Sequence, residues 1–138
     1  MNLEDLLRLT NRNMAAFDLV LGTSALLAPA ATMRALGHEE PSPDAREVFR
    51  RNAPIWFTFA AGHITAYRND RPSDWWALSW LRATEIGTDA LWARSPYFTR
   101  PGAKAGLVLA GVANLAMSAG FAHLSKGRRG PRRLLRRR

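Results

Sequence analysis

Apolar positions gather into four stretches, each long enough for a helix and each followed by a polar connection rich in Pro, Gly, Ser or Asp. The first helix is predicted over residues 3–28, with Asn2 as its N-cap and Pro29 and Gly37 marking its end. Ser42 then offers a cap, Pro43 a first helical position, and Asp44 and Glu47 acidic first turns. A long second helix is expected from there over 43–68, amphipathic until Asn52, apolar afterwards and kinked at Pro54. Ser73 or Asp74 caps a third helix that reaches residue 93, and a fourth covers about 103–124 before Gly127 and Gly130–Pro131. The fold class predicted is all-α: a four-helix transmembrane bundle, up-down-up-down, with spans near 14–32, 53–68, 75–93 and 104–124. Residues 1–125 form the membrane domain and 126–138 a disordered basic tail.

Three patterns favour lipid over water. Residues 105–125 carry no formal charge, 21 in all, enough to cross a hydrocarbon core of about 30 Å. The uncharged runs 19–33 and 52–67 are shorter and span only if flanking charges face the bundle or snorkel. Aromatic residues sit near segment ends: Trp75 and Trp76 against Trp92, Trp56 against Tyr67. Small residues recur at every fourth position, Gly106, Ala110, Asn114, Ser118 and Ala122 on the last helix and Thr58, Gly62 and Ala66 on the second. Such stripes let helix backbones approach where no hydrophobic drive operates between helices. A soluble four-helix bundle is the competing reading, using the same stripes as its core.

The chemistry lies in the polar positions that interrupt the apolar ones. Arg82, Glu85 and Asp89 project within roughly a 60° arc of one face of the third helix, amid Trp, Leu, Ile and Ala. In a bilayer such charges are costly and mark a functional site by default. The other segments each add a polar residue: Asp18 in the first, His63 in the second, Asn114 with Ser118 in the fourth. Asn11, Ala15, Asp18, Gly22 and Ala25 share one helix face. The candidate ligand-binding set is therefore Asp18, His63, Arg82, Glu85, Asp89 and Asn114. Three carboxylates against one guanidinium leave an excess negative charge that a dry interior resists. Arg82 is expected to pair with one or two acids, His63 to be protonated or hydrogen-bonded to one, and at least one acid to stay neutral. A buried ion-pair network that only fixes helix order is the alternative.

Composition narrows the classes. The chain of 138 residues has no cysteine, which removes disulfides and thiolate chemistry, and no ligand spacing supports a metal site. No phosphate-loop, zincin or nucleophile-elbow motif is present. Lys and Arg number 20 against 11 acids, but eight basic residues lie in 126–138, leaving 12 basic against 11 acidic in the body. The tail reads as an orientation signal attracted to anionic headgroups, with nucleic acid the lesser partner. Arg8, Arg12, Arg68, Arg71 and the tail fall on one side, twelve basic residues, against seven on the other, which puts both termini in the cytoplasm. The acidic opening Glu4–Asp5 is unlike a cleavable signal peptide.

Leu21–Gly22, Pro29, Leu36–Gly37, Arg50–Arg51 before a second span containing Gly62, and Arg71–Pro72 follow an order that resembles the DoxX-like group of small bacterial four-span membrane proteins. The likeness covers residues 18–121 and implies a four-helix membrane fold. Arg51–Asn52, Pro54–Ile55 and Phe57 also resemble the opening of the second helix in the membrane-associated eicosanoid and glutathione metabolism family, with Arg82 placed like its third-helix arginine. Ala53 stands where that family has a glutamate. The expectation is an inner-membrane protein whose polar seam binds a small lipophilic or cationic molecule, or supports a homo-oligomer or partner membrane subunit. Two alternatives stand beside it: a membrane-embedded enzyme using Glu85 or Asp89 as acid/base, and a soluble bundle with a nucleic-acid-binding tail.

Overall fold

A computed structural model describes residues 1–98, 100 and 102–127. Most of the basic tail, and with it the expected disorder there, lies outside the described residues. The chain is all-helical, with six helices and no named strand among those residues. α1 (Leu3–Leu27) begins at a capping box: the Asn2 carboxamide accepts from the Asp5 amide at 2.8 Å, and the Asp5 carboxylate accepts from the Asn2 amide at 3.2 Å. Ala28 leaves helical geometry, and Pro29 starts a short α2 (Pro29–Leu36). The expected first helix thus ends on time, but residues 29–32, assigned to its span, belong to the next element. Proline lacks the amide that would continue α1, and it suits a first helical turn.

α2 stops at Gly37, whose φ of 116° favours glycine and whose missing side chain makes room for Ala103; a Cβ there would lie 2.5 Å from the Ala103 methyl. Ser42 caps α3 (Pro43–Arg51) by accepting from the Ala45 amide at 3.2 Å. The single kinked second helix is in fact two, because Asn52 separates α3 from α4 (Ala53–Asn69) and Pro54 falls in the first turn of α4. Arg71, with no side-chain cap, precedes α5 (Pro72–Ala93), rather than Ser73 or Asp74. The last helix, α6 (Ala103–Lys126), runs slightly beyond its expected end.

α1 packs along α4 and α5 along α6, and contact between these two pairs is much sparser. Small residues allow the close approach within each pair. Gly22 of α1 sits under the Phe57 ring and the Ala53 carbonyl of α4. Across α5 and α6, Ser79 donates to the Ser118 carbonyl at 2.8 Å while Ser118 donates to the Ser79 carbonyl at 2.9 Å. Two apolar clusters tie the pairs together. One joins Leu7, Ala66, Trp75, Leu78, Met117, Phe121 and Leu124 near the chain termini. The other joins Ala25, Met33, Phe49 and Ala53 at the far end, with Trp56, Phe57 and Trp92 packed against it. Trp75 is therefore core, 1% exposed, and not an outward-facing belt residue, and Trp92 packs inward too; Trp76 and Tyr67 do face out.

By length and composition α6 alone, among the described residues, passes as a membrane-crossing helix. Only 17% of its most apolar window is buried. Val108, Leu109, Val112 and Leu115 stand on its outer face, and Phe17, Val20, Leu27, Trp80 and Leu91 on those of α1 and α5.

Candidate functional site

Between the two apolar clusters the helix pairs meet through charge. The face of α1 that carries Asn11, Ala15, Asp18, Gly22 and Ala25 is buried along its length, as its spacing predicts. From it Asp18, 1% exposed, reaches Arg82 of α5, 3% exposed, with Oδ2 accepting from Nη2 at 2.8 Å. The same Nη2 donates to Nε2 of the fully buried His63 on α4. One guanidinium nitrogen thereby links three helices.

The protonation of His63 follows from its neighbours. Asn11 Nδ2 donates to the His63 carbonyl at 3.0 Å, an arrangement only the amide nitrogen can make, which turns Asn11 Oδ1 toward His63 Nδ1 at 2.6 Å. Nδ1 must then carry the proton. Nε2 faces a guanidinium, which has no lone pair to accept, so Nε2 is the acceptor and the ring is neutral. Asp18 Oδ2 is 3.6 Å from Nε2, too long for a hydrogen bond. His63 is therefore neither protonated nor bonded to a carboxylate. It is a second acceptor for Arg82, and a base role would require Arg82 to leave.

The remaining residues lie farther along α5. Glu85 is half-buried and forms no hydrogen bond or ion pair with another described residue. Asp89, also half-buried, accepts from Asn114 Nδ2 of α6 at 2.9 Å. Arg82 Nε is buried and has no partner among the described residues. The six residues expected to form the site thus divide. Asp18, His63 and Arg82 form one contact cluster, Asp89 and Asn114 another, and Glu85 lies between them on the shared face of α5. No group of three or more metal-ligating side chains occurs together among the described residues.

Sequence reasoning placed Asn11 on the right face without recognising it as the partner that sets the His63 tautomer. It also missed a clamp near the chain termini. Asp70, at φ 51°, accepts from Arg8 Nη1 at 2.6 Å and from the Trp75 indole at 2.9 Å, while the Arg8 guanidinium sits 5.5 Å from the Trp75 ring centroid. The available signal was Asn69–Asp70 as a left-handed helix stop. At the far end His38 contacts the Phe98 and Trp92 rings, with centroids 4.4 and 6.3 Å away, and Arg100 donates to the Arg34 carbonyl at 2.9 Å.

Comparison with known proteins finds no matching family model, no matching curated protein and no matching solved structure. The site's own geometry carries the functional argument.

Proposed function

We propose that this chain is a small integral membrane protein of the bacterial inner membrane that binds a lipophilic molecule bearing a cationic group. α1, α4, α5 and α6 are its four spans, in up-down-up-down order with both termini cytoplasmic, the arrangement a DoxX-like protein would have. The support for lipid lies on the outside of the bundle. Large apolar side chains project from α1, α5 and α6, and α6 leaves most of its apolar surface uncovered. Uncovered apolar side chains on three helices call for lipid or another apolar partner. Asp18 of α1 and Arg82 of α5, which weaken each helix as a lone span, turn inward toward one another.

The charge balance of the seam carries the ligand assignment. Arg82 is matched by Asp18, and His63 is neutral. Glu85 and Asp89 remain, on one face of α5, with no ion pair to any Lys or Arg among the described residues. Asp18 and His63 tether Arg82 on the α1–α4 side, so its guanidinium forms no ion pair with either acid. A cationic head between the helix pairs supplies the missing charge, Asn114 orients Asp89 toward it, and the apolar flanks accept the rest of the molecule.

Native mass spectrometry of the chain released in mild detergent tests this reading. Wild type should retain a bound small molecule, and Glu85→Gln should lose it without a change in melting temperature. A Glu85→Gln chain that keeps the ligand and melts earlier makes the seam a scaffold for helix order. Recovery of the protein in the soluble fraction without detergent rejects the membrane assignment itself.

A further inference from the structure

At the far end of the bundle, where α1 gives way to α2, a cavity of about 470 Å³ opens between the start of α2 and the side of α3. Its lining has two characters. Ala28, Pro29 and the following alanines form an apolar part, and Arg34, Arg46 and Arg50 form a basic part with Glu47 as the single acid. Arg46 is anchored, its Nε donating to the Pro41 carbonyl at 2.8 Å. Arg50 shares an exposed ion pair with Glu47 at 3.0 Å, of the kind that exchanges readily for a better anion. The Arg34 guanidinium has no hydrogen bond or ion pair with another described residue. Three guanidinium groups against one carboxylate leave the cavity cationic, with fork geometry suited to phosphate oxygens.

The surroundings select among phosphates. Leu26 and Leu27, 44% and 74% exposed, immediately precede Ala28, so the cavity stands at a boundary between uncovered apolar helix and arginine. A free ion would use only the arginine side of that boundary, whereas an amphiphile uses both. We propose that this groove binds the phosphate of an anionic phospholipid, held by Arg34 and Arg50 beside the anchored Arg46, with an acyl chain leaving along Leu27. The groove rests on the proposed membrane placement but lies apart from the charged seam, so its failure leaves the seam's ligand untouched.

The test uses the full chain reconstituted with phosphatidylcholine containing a small fraction of phosphatidylglycerol, with the retained lipid counted by native mass spectrometry. Wild type should hold phosphatidylglycerol in preference to phosphatidylcholine. The pair Arg34→Gln/Arg50→Gln should lower that occupancy on the order of tenfold, while Arg68→Gln/Arg71→Gln, which removes the same charge outside the groove, should leave it nearly unchanged. Circular dichroism confirms that both variants keep their helix content, and Arg34→Lys/Arg50→Lys should recover part of the binding. Equal losses from both glutamine pairs would reduce the effect to general attraction and overturn the proposal. Displacement of the lipid by millimolar inorganic phosphate would also overturn it, assigning the groove to a free ion.

Discussion

The apolar cluster around Trp75 and Phe121 and the charged junction at Arg82 are adjacent, with the His63 and Phe121 rings 6.0 Å apart, yet they close the same helices by opposite means. At Phe121 the joint depends on shape. Its ring lies 5.7 Å from that of Trp75, and any side chain of similar volume would hold the helices at a similar distance. At Arg82 the joint depends on matched charge and hydrogen-bonding capacity, so neither partner is replaceable without the other. Shape closes the end of the bundle and charge sets which faces meet in its middle. The sparse contact between the α1–α4 and α5–α6 pairs makes this division consequential.

The largest expected effect comes from breaking the charged joint on one side. Asp18→Ala leaves a buried guanidinium with only a neutral imidazole as partner and should cost about 3–5 kcal/mol, read as lost folded fraction in a denaturant titration. Removing both charges with Asp18→Leu/Arg82→Met should restore most of that stability while releasing the tether on the seam. A double variant no more stable than Asp18→Ala would show that the two residues are not a closed pair.

Phe121→Ala comes next, at about 2–3 kcal/mol. That is at or below the low end of such deletions in water, because in the proposed bilayer the truncated site loses packing but little transfer free energy. No substitution elsewhere should rescue it unless it restores volume, and Phe121→Leu should cost less. A cost well above this range in detergent micelles would mean that water reaches the cluster, and would count against lipid as the surrounding solvent.

The buried face of α1 was readable because Asn11, Ala15, Asp18, Gly22 and Ala25 repeat at helical spacing, and polar or small residues recur there amid apolar ones. The inward position of Arg82 was readable for the same reason. Asp18 and His63 stood with Arg82 in the expected set, but periodicity gives only a direction around one helix and did not say that Arg82 would bond Asp18 and not Glu85. The neutral state of His63 depends on Asn11, 52 residues away in sequence, and no local pattern encodes that contact. Trp75 misled because a tryptophan near a helix end satisfies the belt pattern whether it faces lipid or core. Asn52 escaped notice as a break because Pro54 is compatible both with a kink and with the first turn of a new helix.

The clamp at the chain termini offers a smaller test of closure by contact. Asp70→Gly keeps the left-handed backbone at no steric cost but loses the bonds to Arg8 and the Trp75 indole. Both ends of the ion pair are partly exposed, so solvent screening holds the expected loss to about 1 kcal/mol. Asp70→Ala should cost more, because Ala adds the strain of a positive φ. Equal melting temperatures for the two variants would place the contribution of Asp70 in its bonds alone.

The smallest expected effect probes the far end of the bundle through pH. His38, outside the proposed spans, packs against Phe98 and Trp92, and burial pushes its pKa below the ordinary 6.5. The folded chain then binds this proton less readily than the unfolded chain. The unfolded state carries more protons between the two pKa values, so stability rises with pH across that window. The contribution is present above pH 6.5 and is lost as pH falls toward the lowered folded value. Melting of wild type should therefore shift downward between pH 7.5 and 5.5 relative to His38→Phe, which keeps an aromatic ring beside Phe98 but cannot titrate. Parallel pH profiles for the two chains would remove His38 as the cause. A steeper profile in the variant would mean that the protonated ring is welcomed in the fold, through a carboxylate such as that of the adjacent Glu39, which lines a loop cavity together with His38.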